Sequence, residues 1–281
     1  MAGSTTGGAN TLASFSGSVV LVGAGKMGGA MLKGWLGLGL DPARIVVLEP
    51  QPGPEVAAMA SSGLRLNPAD PAGEATMIVV AVKPQIAGDV VPGLGPWIGP
   101  GTVVVSIMAG RSLLGIARAL PDGTAVVRAM PNLPASIGRG ITVAVPNAAL
   151  TAPQRGLVDR FLAAVGAVEW VEDEGLLDAV TAVSGSGPAY VFLMAEVLAR
   201  AGEAAGLPAD LAARLARATV AGAGELLERS PLPPHTLREN VTSPGGTTAA
   251  ALELLMGAEG LGALFERAVA AAVRRSRELA G

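Results

Sequence analysis

From residue 18 the chain alternates short, almost wholly apolar runs with longer segments whose apolar residues return every three or four positions. The runs are SVVLV (18–22), RIVVLE (44–49), TMIVVAV (76–82), TVVVSI (102–107) and TAVVRAM (124–130). Runs of Val and Ile without polar alternation are strands covered on both faces, and helix-length segments between them are the crossovers that parallel pairing requires. Two further runs, GITVAV (140–145) and AVEWV (167–171), are expected to complete the sheet, with APQRGLVDRFLAAVG (152–166) as a helix between them.

The strand signal stops near residue 172. Helical stretches follow at 173–183, 188–205, 208–229, 247–257 and 260–278; in the last, Leu261, Leu264, Phe265, Ala268 and Ala272 line one face. The stretch 208–229 is rich in Ala and Gly. It has little bulk to bury within a small domain and permits close helix approach, which favours interleaving with the helices of a second copy over packing on its own chain alone. The expected fold class is therefore α/β, with an N-terminal Rossmann-type parallel-sheet domain over 17–172 followed by an all-α dimerisation and substrate domain over 173–281. Residues 1–16, small and polar without the basic n-region of a signal peptide, read as a disordered tail.

Composition narrows the function. Half the residues are apolar but only 3% are aromatic, so the core is built from Ala, Val and Leu. A net charge of −3, with RRSR (274–277) as a short basic helix end, argues against nucleic acid, which needs a clustered basic surface. Without cysteine there is no disulfide, thiolate chemistry or thiolate metal site, and the single histidine, His235, lies in the proline-rich SPLPPHTL as an exposed loop residue. No metal is expected. The longest uncharged stretch, 90–110, is broken by prolines and glycines, so no membrane span is expected and the location reads as cytoplasmic.

The first chemical signal is VGAGKMG (22–28). Gly23, Gly25 and Gly28 form G-x-G-x-x-G between the first strand and a helix, and the loop and helix start also include Ala24, Lys26 and Met27. Gly23 permits the tight turn, Gly25 lets a pyrophosphate approach the backbone, Gly28 allows helix and strand to pack closely, and the helix amides face the phosphates. Glu49 ends the second strand, about 20 residues on, where a carboxylate bonds a ribose 2′-hydroxyl and repels a 2′-phosphate. Locally this favours NADH over NADPH, although a Glu49 turned to solvent leaves either cofactor open. AVKPQ (81–85), with Val82, Lys83 and Pro84, and SIMAG (106–110), with Ala109, leave their strands at the carboxyl edge where such a cofactor lies. RAMPNLPASIGRG (128–140) leaves the fifth strand in the same way; Met130, Pro131 and Asn132 suit a wall beside the nicotinamide or a proline-stiffened crossover.

Two later stretches are more specific: TAVSGSGPAYVF (181–192) and RENVTSPGGTTAAALELL (238–255). With VGAGKMG, AVKPQ and RAMPNLPASIGRG in this order, the chain resembles the delta-1-pyrroline-5-carboxylate reductases over residues 18–278. The resemblance implies reduction of (S)-1-pyrroline-5-carboxylate to L-proline, the last step of proline biosynthesis, with hydride from NADPH or NADH. It also implies homodimers, often arranged as decamers, and a composite active site between the nucleotide domain of one subunit and the helical domain of its partner. The carboxylate contacts fall on Ser243, Gly245, Gly246, Thr247 and Thr248, the imine nitrogen contact on Thr248, and a cofactor contact on Asn240 of the partner subunit. The chemistry is compatible: amides of Gly246, Thr247 and Thr248 can hold a carboxylate without arginine, and an easily protonated imine needs no strong acid. On their own, VTSPGGTT also reads as a helix cap with Thr247 at the N-cap, and SGSGP as a kink between helices, whose Ser184 and Ser186 either line the imine site or serve close packing. Two rivals remain at this point. A hydroxyacid-type dehydrogenase is disfavoured because no lysine base follows residue 172; a nucleotide-sensing oligomer would bind NAD(P)H without turnover.

Overall fold

The computed structural model describes residues 11–71 and 73–280. Its strands are β1 (Val19–Val22), β2 (Ile45–Leu48), β3 (Arg65–Leu66), β4 (Met77–Val80), β5 (Val103–Ser106), β6 (Ala125–Met130), β7 (Gly140–Pro146) and β8 (Gly166–Trp170). They form one sheet in the order β3-β2-β1-β4-β5-β6-β7-β8. Every pair is parallel except β6 with β7. The connection from Pro131 to Arg139 holds only a short 3-10 turn, too short for the crossover a parallel pair needs, so β7 returns antiparallel. β3 escapes a search for Val/Ile runs because it is two residues long.

The helices of this unit are α1 (Lys26–Gly37), α2 (Pro54–Met59), α3 (Ala87–Val90), α4 (Leu113–Ala117), α5 (Ala152–Leu162) and α6 (Leu177–Val180). The uninterrupted apolar strands follow from cover on both faces. Val19 and Leu21 of β1 join Trp35 of α1 and Phe161 of α5, whereas Val20 and Val22 join Trp97, Ile116 and Leu120 on the other side. Trp35 and Phe161 pack edge to face at 5.5 Å, and the Trp35 indole N–H donates to the Phe161 carbonyl at 2.9 Å.

The expected tail requires correction over residues 11–16; residues 1–10 lie outside the described residues. Leu12 is fully buried, its amide donates to the Leu38 carbonyl, and Phe15 packs edge to face on Phe161 at 5.1 Å. Two apolar side chains among small polar neighbours are enough to dock the segment on the α1–α5 cluster.

The chain divides into two compact units, one running to Gly185 and including Arg275–Gly281, the other Ser186–Arg274. Residues 174–185 stay with the sheet because Leu177, fully buried, packs with Val143 and Val145, and Arg128 pairs with Glu174 at 2.8 Å. The second unit contains α7 (Gly187–Ala204), α8 (Ala209–Arg229), α9 (Pro234–Asn240), α10 (Thr247–Leu255) and most of α11 (Leu261–Ala280). α9 replaces the expected proline-rich loop around His235: Pro234 occupies its first turn, where a missing N–H costs nothing, and His235 remains exposed. α7 and α8 approach closely at Gly202, where a Cβ would lie 3.3 Å from the Ala212 Cβ.

Only Ala212 and Ala216 are buried in this second unit among the described residues. Phe192, 61% exposed, and Leu193, Val197 and Leu198 crowd the surface of α7. By length and composition the helical stretch Glu174–Ala204 is apolar enough to cross a membrane, with 6% of its most apolar window buried. The stretch passes from a π-helical turn (Thr181–Gly185) to α7 through the non-helical Ser186, and it begins in the well-packed part of the first unit.

Candidate functional site

The carboxyl edge of β1 turns through Gly23, which has φ +91 and whose Cβ would sit 2.8 Å from the Ala81 carbonyl oxygen. Gly28 is equally constrained, since a Cβ there would lie 2.2 Å from the Gly23 oxygen. Gly25 differs: a Cβ on it meets nothing within 4 Å, so no packing within the chain demands glycine. It caps α1 without a side-chain hydrogen bond, and the first turn carries no acidic residue. The exposed Lys26 and half-buried Met27 follow, so uncapped amides and one cation face open space. That cradle fits a pyrophosphate approaching the backbone.

Glu49 turns toward this loop. Its carboxylate accepts from the Ala24 amide at 2.9 Å and the Gln51 amide at 3.0 Å. Asn67 braces it by accepting from the Glu49 amide and donating to its carbonyl, both at 2.8 Å. The carboxylate is therefore held beside the glycine turn, where an adenosine ribose lies in this fold.

Val82, exposed Lys83 and Pro84 follow β4, and Ala109 is exposed after β5. Arg111, which sequence reasoning passed over, ties these loops together: its Nε and Nη2 donate to the Pro84 carbonyl at 3.2 and 2.7 Å. Beyond β6, Asn132 donates to the Ser184 hydroxyl at 3.1 Å and accepts from the Ile141 amide at 3.0 Å. A groove of about 560 Å³ bordered by Glu74, Thr102, Asp122 and Gln154 lies at the opposite, amino-terminal edge of β5 and β6, with no basic residue in its lining. It is unsuited to a dinucleotide.

In the helical unit, Asn240 ends α9 and is exposed. The chain then turns through Ser243 and Gly245, whose φ of +69 suits glycine, into α10. Gly246, and not Thr247, is the N-cap, and no side chain caps the helix. The Gly246 amide donates to the Ser243 carbonyl at 3.0 Å, which removes it from the set of amides expected to face a ligand. The first-turn amides of Thr247, Thr248 and Ala249 remain, with the hydroxyls of Thr247 and half-buried Thr248 beside them. A Cβ on Gly246 would meet the Ser243 Oγ at 2.7 Å and its carbonyl oxygen at 3.1 Å, so glycine is needed for the turn itself.

Residues 174–279 match the sequence model described as pyrroline-5-carboxylate reductase dimerisation, and residues 18–110 match that of the NADP oxidoreductases, coenzyme F420-dependent. The pyrroline-5-carboxylate reductase of Pseudomonas aeruginosa is 38% identical over 93% of this chain and 96% of its own length. That of Mycobacterium leprae is 41% identical over the same shares. Among solved structures, a pyrroline-5-carboxylate reductase of Coxiella burnetii superposes with a TM-score of 0.87 at 33% identity, over 95% of this chain and 99% of its own. The Plasmodium falciparum pyrroline carboxylate reductase with NADP bound gives 0.79 at 27% identity, over 95% and 99%. With relatives this similar along nearly their whole length, the chain belongs to the pyrroline-5-carboxylate reductase family.

Proposed function

We propose that this chain reduces (S)-1-pyrroline-5-carboxylate to L-proline in the cytoplasm as a homodimer, with NADH as the preferred hydride donor. The observation that carries the cofactor choice is the Glu49 carboxylate anchored on the Ala24 amide, together with the absence of Lys and Arg between Glu49 and Arg65. When bound, the reduced nicotinamide supplies the hydride. Gly23, Ala24, Gly25, Lys26, Met27 and Gly28 hold its pyrophosphate, Glu49 its adenosine ribose, and the loops Val82–Pro84 and Ala109 its nicotinamide end.

The substrate offers a carboxylate and a C=N bond. The α10 amides of Thr247 and Thr248, with Ser243 and the backbone bared by Gly245 and Gly246, hold the carboxylate. The Thr248 hydroxyl accepts the N–H of the protonated ring and so fixes its orientation. The C=N electron pair moves onto nitrogen as the C–H bond forms, giving the neutral amine of proline without a proton donor from the chain. This division of labour needs no histidine or lysine base, in keeping with orientation and a preorganised hydrogen bond as the main contributions. Asn240 contacts the cofactor across the dimer.

Oxidation of NADH followed at 340 nm tests the reading. Turnover is expected only when pyrroline-5-carboxylate is supplied. NADH binding without turnover would leave the chain a nucleotide-sensing oligomer.

A further inference from the structure

The side-chain amide of Asn132 has only one possible orientation. A backbone N–H only donates, so the atom 3.0 Å from the Ile141 amide is Oδ1, and Nδ2 therefore faces Ser184 Oγ at 3.1 Å. Ser184 accepts through its oxygen and keeps its own proton. Among the described residues that proton is given to no protein group.

Ser184 also lies in an unusual backbone. Residues Thr181–Gly185 form a π-helical turn, a geometry that concentrates at functional positions. The turn is fastened at both ends: the Thr181 hydroxyl donates to the Leu177 carbonyl at 2.7 Å, and Gly185 is pressed on Met130, whose Cε would lie 2.8 Å from a Cβ there. The whole arrangement belongs to the sheet unit and stands beyond the carboxyl end of β6. Glu49 marks the adenosine end of the cofactor at β2. In the order β2-β1-β4-β5-β6 the nicotinamide end extends toward β5 and β6.

We propose that Ser184 donates a hydrogen bond to the carboxamide oxygen of the nicotinamide, with Asn132 as the positioning residue that keeps the serine proton outward. This rests on the dinucleotide reading given above. Ser184 is only half-buried, so its proton points where a bound ligand can replace solvent, and a protonated imine nitrogen has no lone pair to offer. The cofactor phosphates are met at α1 and the substrate carboxylate is assigned above to the α10 amides, which leaves the carboxamide oxygen as the acceptor at this end. Holding it decides which face of the ring meets the substrate.

The test compares NADH with ADP-ribose, which has no nicotinamide, by calorimetry on the intact protein and on Ser184→Ala and Asn132→Asp. The aspartate is the informative change: it still accepts from the Ile141 amide, but it also accepts the Ser184 proton and so turns it inward. Both hydrogen bonds survive, so thermal stability stays at the parental value. Both variants are expected to bind NADH about five-fold more weakly, the effect of one neutral hydrogen bond, with ADP-ribose affinity unchanged. Combining them is expected to weaken binding no further. Parental NADH affinity in either variant, or an equal loss for ADP-ribose, overturns the proposal. A parental protein that binds neither ligand overturns instead the dinucleotide reading beneath it.

Discussion

Replacing Glu49 by glutamine removes one charge and changes little else. The glutamine oxygen can keep the bond to the Ala24 amide that the carboxylate makes at 2.9 Å, while the second bond, to Gln51, is given up. A 2′-phosphate would enter beside this carboxylate. At about 5 Å two unit charges repel by roughly 0.8 kcal/mol in water and about 3 kcal/mol at an effective dielectric near 20. A phosphate monoester carries about −1.5 to −2 at neutral pH. Because Glu49 is half-buried and partly screened by solvent, the lower dielectric limit overstates the effect, and about 1.5 kcal/mol is the working figure. That corresponds to roughly ten-fold in kcat/KM. The parental enzyme is therefore expected to favour NADH, and Glu49→Gln to raise the NADPH to NADH ratio of kcat/KM by about ten-fold. The parental discrimination should also shrink as salt is raised, whereas that of the variant should not. A parental preference for NADPH that the glutamine leaves untouched would refute the placement of this carboxylate at the ribose.

Thr248→Ala is expected to lower kcat about 10- to 100-fold, the effect of one hydrogen bond to a charged partner, with the KM for NADH and the dimer unchanged; unaltered steady-state rates would remove Thr248 from the mechanism. Gly246→Val forces a side chain onto the Ser243 Oγ and carbonyl oxygen and is expected to raise the KM for the imine at least about ten-fold, so a parental KM would show that the turn does not hold the carboxylate. Phe192→Asp places a charge on the exposed apolar face of α7 and is expected to raise the dimer dissociation constant about 30-fold or more in sedimentation velocity; an unchanged constant would put that face outside the interface.

Much of this was legible because it is local. A Val-rich strand, a glycine turn and a helix start occupy adjacent residues, so β1, the loop of Gly23, Gly25 and Gly28, and α1 could be read together. The direction of β7 was not legible from its own residues, because a short connection decides it. Leu12 and Phe15 were hidden among small polar neighbours, and α9 was hidden by prolines that break a helix interior but suit its first turn. At the site the same division holds. Glycines announce backbone geometry, whereas the aim of a side chain depends on partners far along the chain: Asn132 and Ser184 are 52 residues apart. The Gly246 amide shows the limit at shortest range, since whether it faces a ligand or closes a turn is settled by one carbonyl three residues earlier.

The two units differ in what holds them together, and this bears on why the proposed dimer and the substrate loop go together. The sheet unit has a core on each face, including Trp35, Phe161 and Trp97. The unit Ser186–Arg274 hides only two alanines among the described residues, while ordering each backbone residue costs about 1–2 kcal/mol. Its described internal contacts include Tyr190 with Phe265 at 6.1 Å and the close α7–α8 approach at Gly202. In the proposed dimer, a second copy covering Phe192, Leu193, Val197 and Leu198 would add burial that the single chain lacks there. Formation of the helical unit and formation of the dimer would then be coupled. The α10 amides that would grip the substrate belong to that unit, so dimer formation would then also favour an ordered carboxylate site.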